Sequence, residues 1–512
     1  MKLVTSCQMR KIEQIAAEEL GIPLILLMEN ASIRAAGHCI KFLEKIENPK
    51  ALIVCGCGSN GGDGMAVARH LHVKGIYTKV VYAGDMNLVK GDAEVNYKIV
   101  KNLEIPAEPV YSAQLKQRAI DFELYDLVVD ALFGTGLSRN IEGGVRQLIE
   151  SINSCAKYVI SVDMPSGVHS DTGRIMGCAE KANETVTLGF PKTGLYLYPG
   201  AEYAGVIHIE DIAVPLSLID RIETKAGVLT DNEARKLLPA RKRRSNKGDF
   251  GKTMVFAGSA GMPGAAALVC SAAYMTGSGL VCACVTQNTA TVIHRWQREA
   301  VTRIVPDING MYCMESITQL KQDEIKSADV IVLGPGIGRS REVSEFVYEI
   351  LKIAQSPIVL DADALFAVSE NINILKEIKA PCIITPHPGE MSRLTNLPVA
   401  QILNNIAETA VSFAKEFNVV TILKDAHTVI ADTEGNVNIN ITGNNALSKA
   451  GTGDVLTGMI AGFIAQGKNV FDAGILGAHF HGKACEAACL NKSRYSITAS
   501  DLIDHIPVVM KT

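Results

Sequence analysis

Gly451-Thr452-Gly453-Asp454 opens an apolar stretch that reads as a helix over Gly453–Ala465. The unpaired N–H groups of such a helix start form an anion hole for a transferring phosphoryl group. Asp454 then stands where it can accept a proton from a substrate hydroxyl. An aspartate at a helix start is equally an N-cap, so this motif alone leaves both readings open. Four further motifs accompany it, at Gly258–Ala265, Gly334–Gly338, Asp361–Leu365 and Thr385–Glu390. Each follows an apolar run of strand length. Lys424 closes another such run, Val419–Leu423, and lysine is a natural phosphate partner. His387, in a loop rich in proline and glycine, is the best-placed histidine.

The first half has its own polar strand ends. The run Ala51–Gly56 leads into Gly56-Cys57-Gly58-Ser59-Asn60-Gly61-Gly62-Asp63-Gly64, a formal G-x-G-x-x-G. Such glycines let backbone N–H groups approach a phosphate at a helix N-terminus. A tight strand-to-helix turn is the plain alternative. Asp85, ending the next strand, stands where a ribose-binding acid is expected. Asp130-Ala131-Leu132-Phe133-Gly134-Thr135-Gly136-Leu137 and Asp163-Met164-Pro165-Ser166-Gly167 end two more strands. Ligands of open α/β sheets bind beyond the carboxyl ends of the strands. Asn60, Asp63, Asp130, Asp163 and Ser166 are therefore expected to converge on one crevice.

The elements that must position these residues alternate apolar runs with helix-period segments, which predicts α/β architecture with mostly parallel sheets. The first half has strands at Ala51–Gly56, Thr78–Ala83, Leu127–Phe133, Tyr158–Met164 and Thr185–Phe190, with helices at Gln8–Leu20, Leu24–Phe42, Gly62–Val73 and Gly91–Lys101. The second has strands at Thr253–Ala257, Val330–Leu333, Ile358–Leu360, Cys382–Thr385 and Val419–Lys424, with Ala-rich helices at Gly264–Thr276 and Gly453–Ala465. Residues 215–225 read as a linker. With 512 residues, 47% hydrophobic and 20% charged, the chain has material for two cores. A net charge of -4 gives no nucleic-acid signature, although a basic run, Arg241–Arg244, reads as a solvated face. No signal peptide or membrane span is apparent, and the 13 cysteines, without a C-x-x-C pair, suit buried thiols in a reducing compartment. A cytoplasmic, homo-oligomeric enzyme acting on small molecules, with no nucleic acid or membrane partner, is expected.

The three first-half motifs, Ser59–Asp63, Asp130–Leu137 and Asp163–Gly167, resemble the NAD(P)H-hydrate epimerase family, with serine at 59 where that family often has asparagine. The resemblance covers residues 1–218 and implies a Rossmann-like three-layer αβα domain. It implies that Asn60, Gly61, Gly62, Asp63, Gly64, Gly134, Thr135, Gly136, Leu137, Ser138, Arg139, Asn140 and Asp163 contact the hydrated nicotinamide nucleotide. It also implies potassium held by Asn60, Asp130 and Ser166, and Asp163 is the expected acid/base group.

The five second-half motifs, in their order, resemble ADP-dependent NAD(P)H-hydrate dehydratases of the ribokinase-like superfamily, over residues 225–512. This implies substrate contacts from Ala265, Gly336, Gly338, His387 and Asp454, and adenine-nucleotide contacts from Lys424, Asp425, Ala426, His427, Thr428 and Gly453. That family commonly has glycine after the lysine and two glycines in the last loop, where this chain has Asp425 and Ala450-Gly451. The implied activity is repair of NADH and NADPH hydrates (NADHX and NADPHX). One half interconverts R and S epimers, and the other dehydrates the S form with ADP as phosphoryl donor, releasing AMP and phosphate; Mg²⁺ suits such chemistry. A conventional small-molecule kinase shares the anion hole and base, and a nucleotide sensor shares the binding surface. The fused first half and the Thr385–Glu390 motif weigh against the kinase, and Asp454 with Lys424 against the sensor.

Overall fold

A computed structural model describes residues 1–110, 120–320 and 322–511. The chain forms two compact units, Lys2–Gly227 and the residues from Val228 onward, with Met1 grouped with the second.

In the first unit Lys50–Cys55 and Leu127–Ala131 lie side by side at the centre of a seven-stranded sheet. Tyr77–Ala83 and Ala107–Val110 extend it one way; Val159–Val162, Glu184–Leu188 and Val206–Glu210 extend it the other. Every pairing is parallel. Strand order therefore reverses between the two central strands, and a crevice opens at their carboxyl ends. Alternate side chains go to opposite faces. Ile53 and Cys55 pack with helices Ser6–Glu18, Leu24–Leu43 and Ser59–Val73, while Leu52 and Val54 pack with helix Gly143–Cys155. Both faces are covered, so the strands read as unbroken apolar runs.

The linker expected at 215–225 is instead largely structured. Leu216–Arg221 is a 3₁₀ helix, and Leu218, Ile219 and Ile222 are buried in the first core. Ala226–Gly227 pairs antiparallel with Lys2–Leu3.

In the second unit Lys252–Phe256 is the reversal point. Leu280–Val285 and Val301–Ile304 lie on one side; Val330–Leu333, Ile358–Leu360, Cys382–Ile384 and Val420–Leu423 lie on the other, all parallel. Thr428–Ala431 and Val437–Asn440 complete that side as antiparallel strands. Helices Pro263–Thr276, Thr452–Ala465 and Val470–Cys489 are buried on one face, the first two almost wholly apolar. On the other, Tyr312 and Phe346 stack with the Phe256 ring edge-on to both, and the Tyr312 hydroxyl donates to Ala257 O at 2.9 Å and Cys284 O at 2.8 Å. No helix of the described residues is long and apolar enough to cross a membrane.

Candidate active sites

The first crevice is built by helix Ser59–Val73 and the loops after Leu127–Ala131 and Val159–Val162. The glycine-rich run is not a loop, as the expected helix start at Gly62 would have it. Its residues from Ser59 on are the helix's first turns, which lets the chain pack closely. A Cβ on Gly61 would stand 1.9 Å from Gly56 O, and one on Gly64 2.5 Å from Ala131 Cβ. Gly62 likewise faces Ala93 and Met28. What these glycines offer a ligand is therefore backbone, not an open side. Asn60 and Asp63 are buried, and neither amide atom of Asn60 has a hydrogen-bond partner among the described residues. A Cβ on Gly134 would lie 3.3 Å from both Asn60 Cγ and Asp163 Oδ2, so these residues meet.

Asp163 sits in the left-handed region (φ 67°), its carboxylate paired with the buried ammonium of Lys192. That ammonium also donates to Leu188 O at 2.8 Å and Thr187 Oγ1 at 3.3 Å. Burial, then the charges of Asp163 and Glu13, push the Asp63 carboxyl well above the usual range. Burial also raises Glu13, against the pull of Lys192. Asp63 is thus placed to hold a proton beside the Asp163–Lys192 pair.

Asp130 plays a different part. Its carboxylate accepts from Leu132 N, Ser161 Oγ, Ser166 N and Ser166 Oγ at 3.2, 2.9, 2.8 and 2.5 Å, which fills its lone-pair positions. Ser166 Oγ in turn accepts from Phe133 N at 2.9 Å, so the pair fixes the 132–135 loop. Glu180 is fully buried, and burial, then Asp130, drive its carboxyl well upward; neither oxygen has a partner among the described residues. Leu137, expected to touch substrate, points into the core instead. Thr135 is half-buried; Gly136, Ser138, Arg139 and Asn140 are exposed. Asp85 caps its own turn, accepting from Asn87 N at 2.9 Å.

The second crevice gathers the four strand-end motifs and the helix start at Gly451–Asp454 around Asp361. This buried carboxylate accepts from Thr385 Oγ1 at 2.7 Å, Thr457 Oγ1 at 2.9 Å and Lys424 Nζ at 3.3 Å. A Cβ on Gly453 would lie 3.7 Å from Lys424 Nζ and 3.8 Å from Asp361 Oδ2. The helix start therefore abuts this ion pair. Gly451 takes φ 89°, which suits only glycine, and Thr452 begins the helix. Thr452 Oγ1 donates to Leu447 O and Lys449 O, and buried His481 holds Thr452 O at 2.9 Å. Burial lowers the His481 ring to about 4, so it is neutral and donates.

The Asp454 carboxylate makes no hydrogen bond among the described residues. Burial, then Asp361, push its carboxyl up to about 7 against the pull of Lys424. Burial opposes the Lys424 charge, but Asp361 and Glu390 more than offset it. His387 caps helix Pro388–Thr395, its Nδ1 accepting from Gly389 N at 3.0 Å. Burial, then Lys424, lower its pKa. Asp363 anchors the Gly334–Gly338 loop, accepting from Gly338 N at 3.0 Å and Arg339 Nε at 2.7 Å. A Cβ on Gly336 would stand 3.0 Å from Ala265 Cβ, so these two expected contacts adjoin. Lys424–Thr428 is the turn of the hairpin between Val420–Leu423 and Thr428–Ala431.

Residues 253–508 match the NAD(P)H-hydrate dehydratase family model, and residues 25–194 match the YjeF-related protein N-terminus. A bifunctional NAD(P)H-hydrate repair enzyme from Moorella thermoacetica is 37% identical over 100% of this chain and 97% of its own length. One from Thermofilum pendens is 34% identical over 100% and 96%. The chain belongs to the bifunctional NAD(P)H-hydrate repair enzymes. Its first unit is the epimerase and its second the dehydratase. A solved dehydratase from Bacillus subtilis, ADP/ATP-dependent and co-crystallised with ATP/Mg²⁺, is 32% identical, covering 55% of this chain and 96% of that one at a TM-score of 0.48. In this repair enzyme sequence reasoning missed Lys192, Glu13, Glu180, Thr457 and His481. Lys192 follows Phe190-Pro191 at a strand end, the one signal that pointed to it; a lysine is otherwise read as exposed.

Proposed function

We propose that Asp454 is the general base of the dehydratase and Asp163 the acid/base group of the epimerase. The observation that carries the first is the raised carboxyl of Asp454 beside a helix start and the Lys424–Asp361 pair. A base is most effective with a pKa near the working pH. Asp454 takes the proton of the substrate's ring hydroxyl as that oxygen bonds to the β-phosphoryl group of ADP, and AMP leaves with the electrons of the broken P–O bond. The Gly451–Gly453 amides and Lys424 stabilise the charge that develops. Loss of phosphate from the ring, and of a proton from the neighbouring carbon, restores the double bond.

The Lys424–Thr428 turn takes the adenine nucleotide, and Ala265, Gly336, Gly338 and His387 take the hydrate. Asp361 and Asp363 offer hard oxygens to Mg²⁺, although Thr385, Thr457, Lys424, Gly338 and Arg339 already engage them. The buried amide oxygen of Asn60, without a partner among the described residues, suits potassium. Asp130 would take it up only by releasing one of its four hydrogen bonds. Asp163 exchanges a proton with the hydrate in concert with protonated Asp63, and Lys192 holds Asp163 in place.

Incubation with S-NADH hydrate and ADP, followed by absorbance, tests the reading. Recovery of NADH is expected. Nucleotide consumption without recovery would point to a conventional kinase and remove the assignment of Asp454 to dehydration.

A further inference from the structure

On the first unit, two histidines and two glutamates meet away from the epimerase crevice. His38 belongs to helix Leu24–Leu43, Glu184 begins strand Glu184–Leu188, and His208 and Glu210 lie on edge strand Val206–Glu210. One ligand atom each from His38, Glu184 and His208 lie within 4.8 Å of one another. The imidazole rings are 4.3 Å apart between centroids.

The orientations separate two explanations. Four hydrogen-bonded ion-pair partners would each aim a donor at an acceptor. Two contacts here do so and bind only the outer atoms. Tyr158 donates its hydroxyl to Glu184 Oε1 at 2.6 Å, and His38 Nε2 meets Glu210 Oε1 at 2.9 Å. The inner atoms are left over. His208 Nε2 is 2.8 Å from Glu184 Oε2 but out of line for a hydrogen bond, and it has no other partner among the described residues. His38 Nδ1 faces the same oxygen at 3.9 Å. Atoms that converge on a common point without bonding one another are arranged as ligands are.

We propose that His38 Nδ1, His208 Nε2 and Glu184 Oε2 bind a divalent transition metal of the zinc class, with a fourth position open to water. Two imidazoles and one carboxylate make a recurrent zinc donor set. Closing three atoms onto Zn–N and Zn–O bonds of about 2.0–2.2 Å needs only small side-chain rotations. Glu210 on His38 and Tyr158 on Glu184 supply the outer hydrogen bonds that fix ligand tautomer and aim. The metal ties an edge strand and a helix to the strand between them. Glu184 starts its strand, whereas Asp163 reaches Leu188 N at the other end, about 13 Å away at 3.3 Å per residue. The site is therefore structural and separate from epimerase chemistry.

The test uses untagged, full-length protein stripped with chelator and titrated with Zn²⁺ by calorimetry, and with Co²⁺ by visible absorption. One saturable equivalent per chain, a tetrahedral Co²⁺ spectrum and a raised Tm are expected. His208→Asn and Glu184→Gln should each abolish all three. Glu210→Gln keeps every ligand, and so serves even if those variants fold poorly. It should weaken binding about 10–100-fold. Absence of a saturable equivalent, or binding unchanged in the variants because cysteines hold the metal, overturns the proposal.

Discussion

Asp454 is held in conflict with its surroundings, and the conflict is measurable. Its carboxyl is pushed from 3.8 to about 7 by burial and Asp361. The folded protein binds this proton more tightly than the unfolded chain, so ionisation costs stability. That cost is absent below pH about 3.8, grows as pH rises and is complete above about 7. The active base is the ionised form, so dehydratase kcat should fall as pH drops below about 7. Asp454→Asn should then lower dehydration by about 10²–10⁴ and raise Tm at pH 8 while changing it little at pH 3. Retention of more than about a tenth of the rate would remove Asp454 from the role of base. In the other unit, Lys192→Met removes the counter-charge of a buried carboxylate and should abolish epimerisation. Dehydration of pure S hydrate should stay within twofold of native, and parallel loss of both would mean that the lysine acts through folding of the whole chain.

Helix Thr452–Ala465 presents its active-site end correctly because it packs backbone to backbone on Pro263–Thr276. A Cβ on Gly458 would stand 2.4 Å from Val269 O and 2.7 Å from Ala272 Cβ; one on Gly462 would stand 2.7 Å from Thr276 Cβ. Gly458→Val should push the helices apart, costing about 1–3 kcal/mol. Because Asp454 and Thr457 ride on this helix, dehydratase kcat should fall with Tm while epimerase activity is unchanged. A thermal loss without a kinetic one would show that the helix start is held by His481 and the Gly451 turn alone. The elements positioning both sites were legible because they are buried on both sides and hence apolar without interruption. Two of those missed differ, since Val437-Asn438-Ile439-Asn440 carries polar residues at alternate positions and Val301–Ile304 has three of its four residues exposed, whereas Leu280–Val285 was missed although it is apolar and buried like the rest. The glycine-rich run was misplaced for another reason. Glycine signals a loop, yet here its missing side chain lets a helix sit against a strand. The polar residues that end strands were found, but partners such as Lys192 and Thr457 come from distant sequence and surface only once the sheet brings them together.

Two activities in one chain demand that each unit carry a complete core, and the position of the junction decides whether the units can be separated. Residues 215–225 have a mixed composition and read as a tether, but Leu218, Ile219 and Ile222 are buried in the first core, and Ala226–Gly227 pairs with Lys2–Leu3. A first piece ending at Arg221 would lose Ile222 and leave Lys2–Leu3 unpaired. One ending at Gly227 keeps both. The 1–227 piece should therefore melt cooperatively and epimerise NADH hydrate, whereas a 1–221 piece should be less stable by about 1–3 kcal/mol, as expected when a large buried side chain is lost. The piece starting at Val228 keeps Asp361, Lys424 and Asp454 and should dehydrate S hydrate alone. Given a mixture of epimers it should stop once the S form is exhausted, at about half recovery if R and S are equal, and addition of the 1–227 piece should carry the reaction to completion. Complete recovery without that addition would mean that the second unit accepts both epimers, and the division of labour between the two crevices would then be wrong.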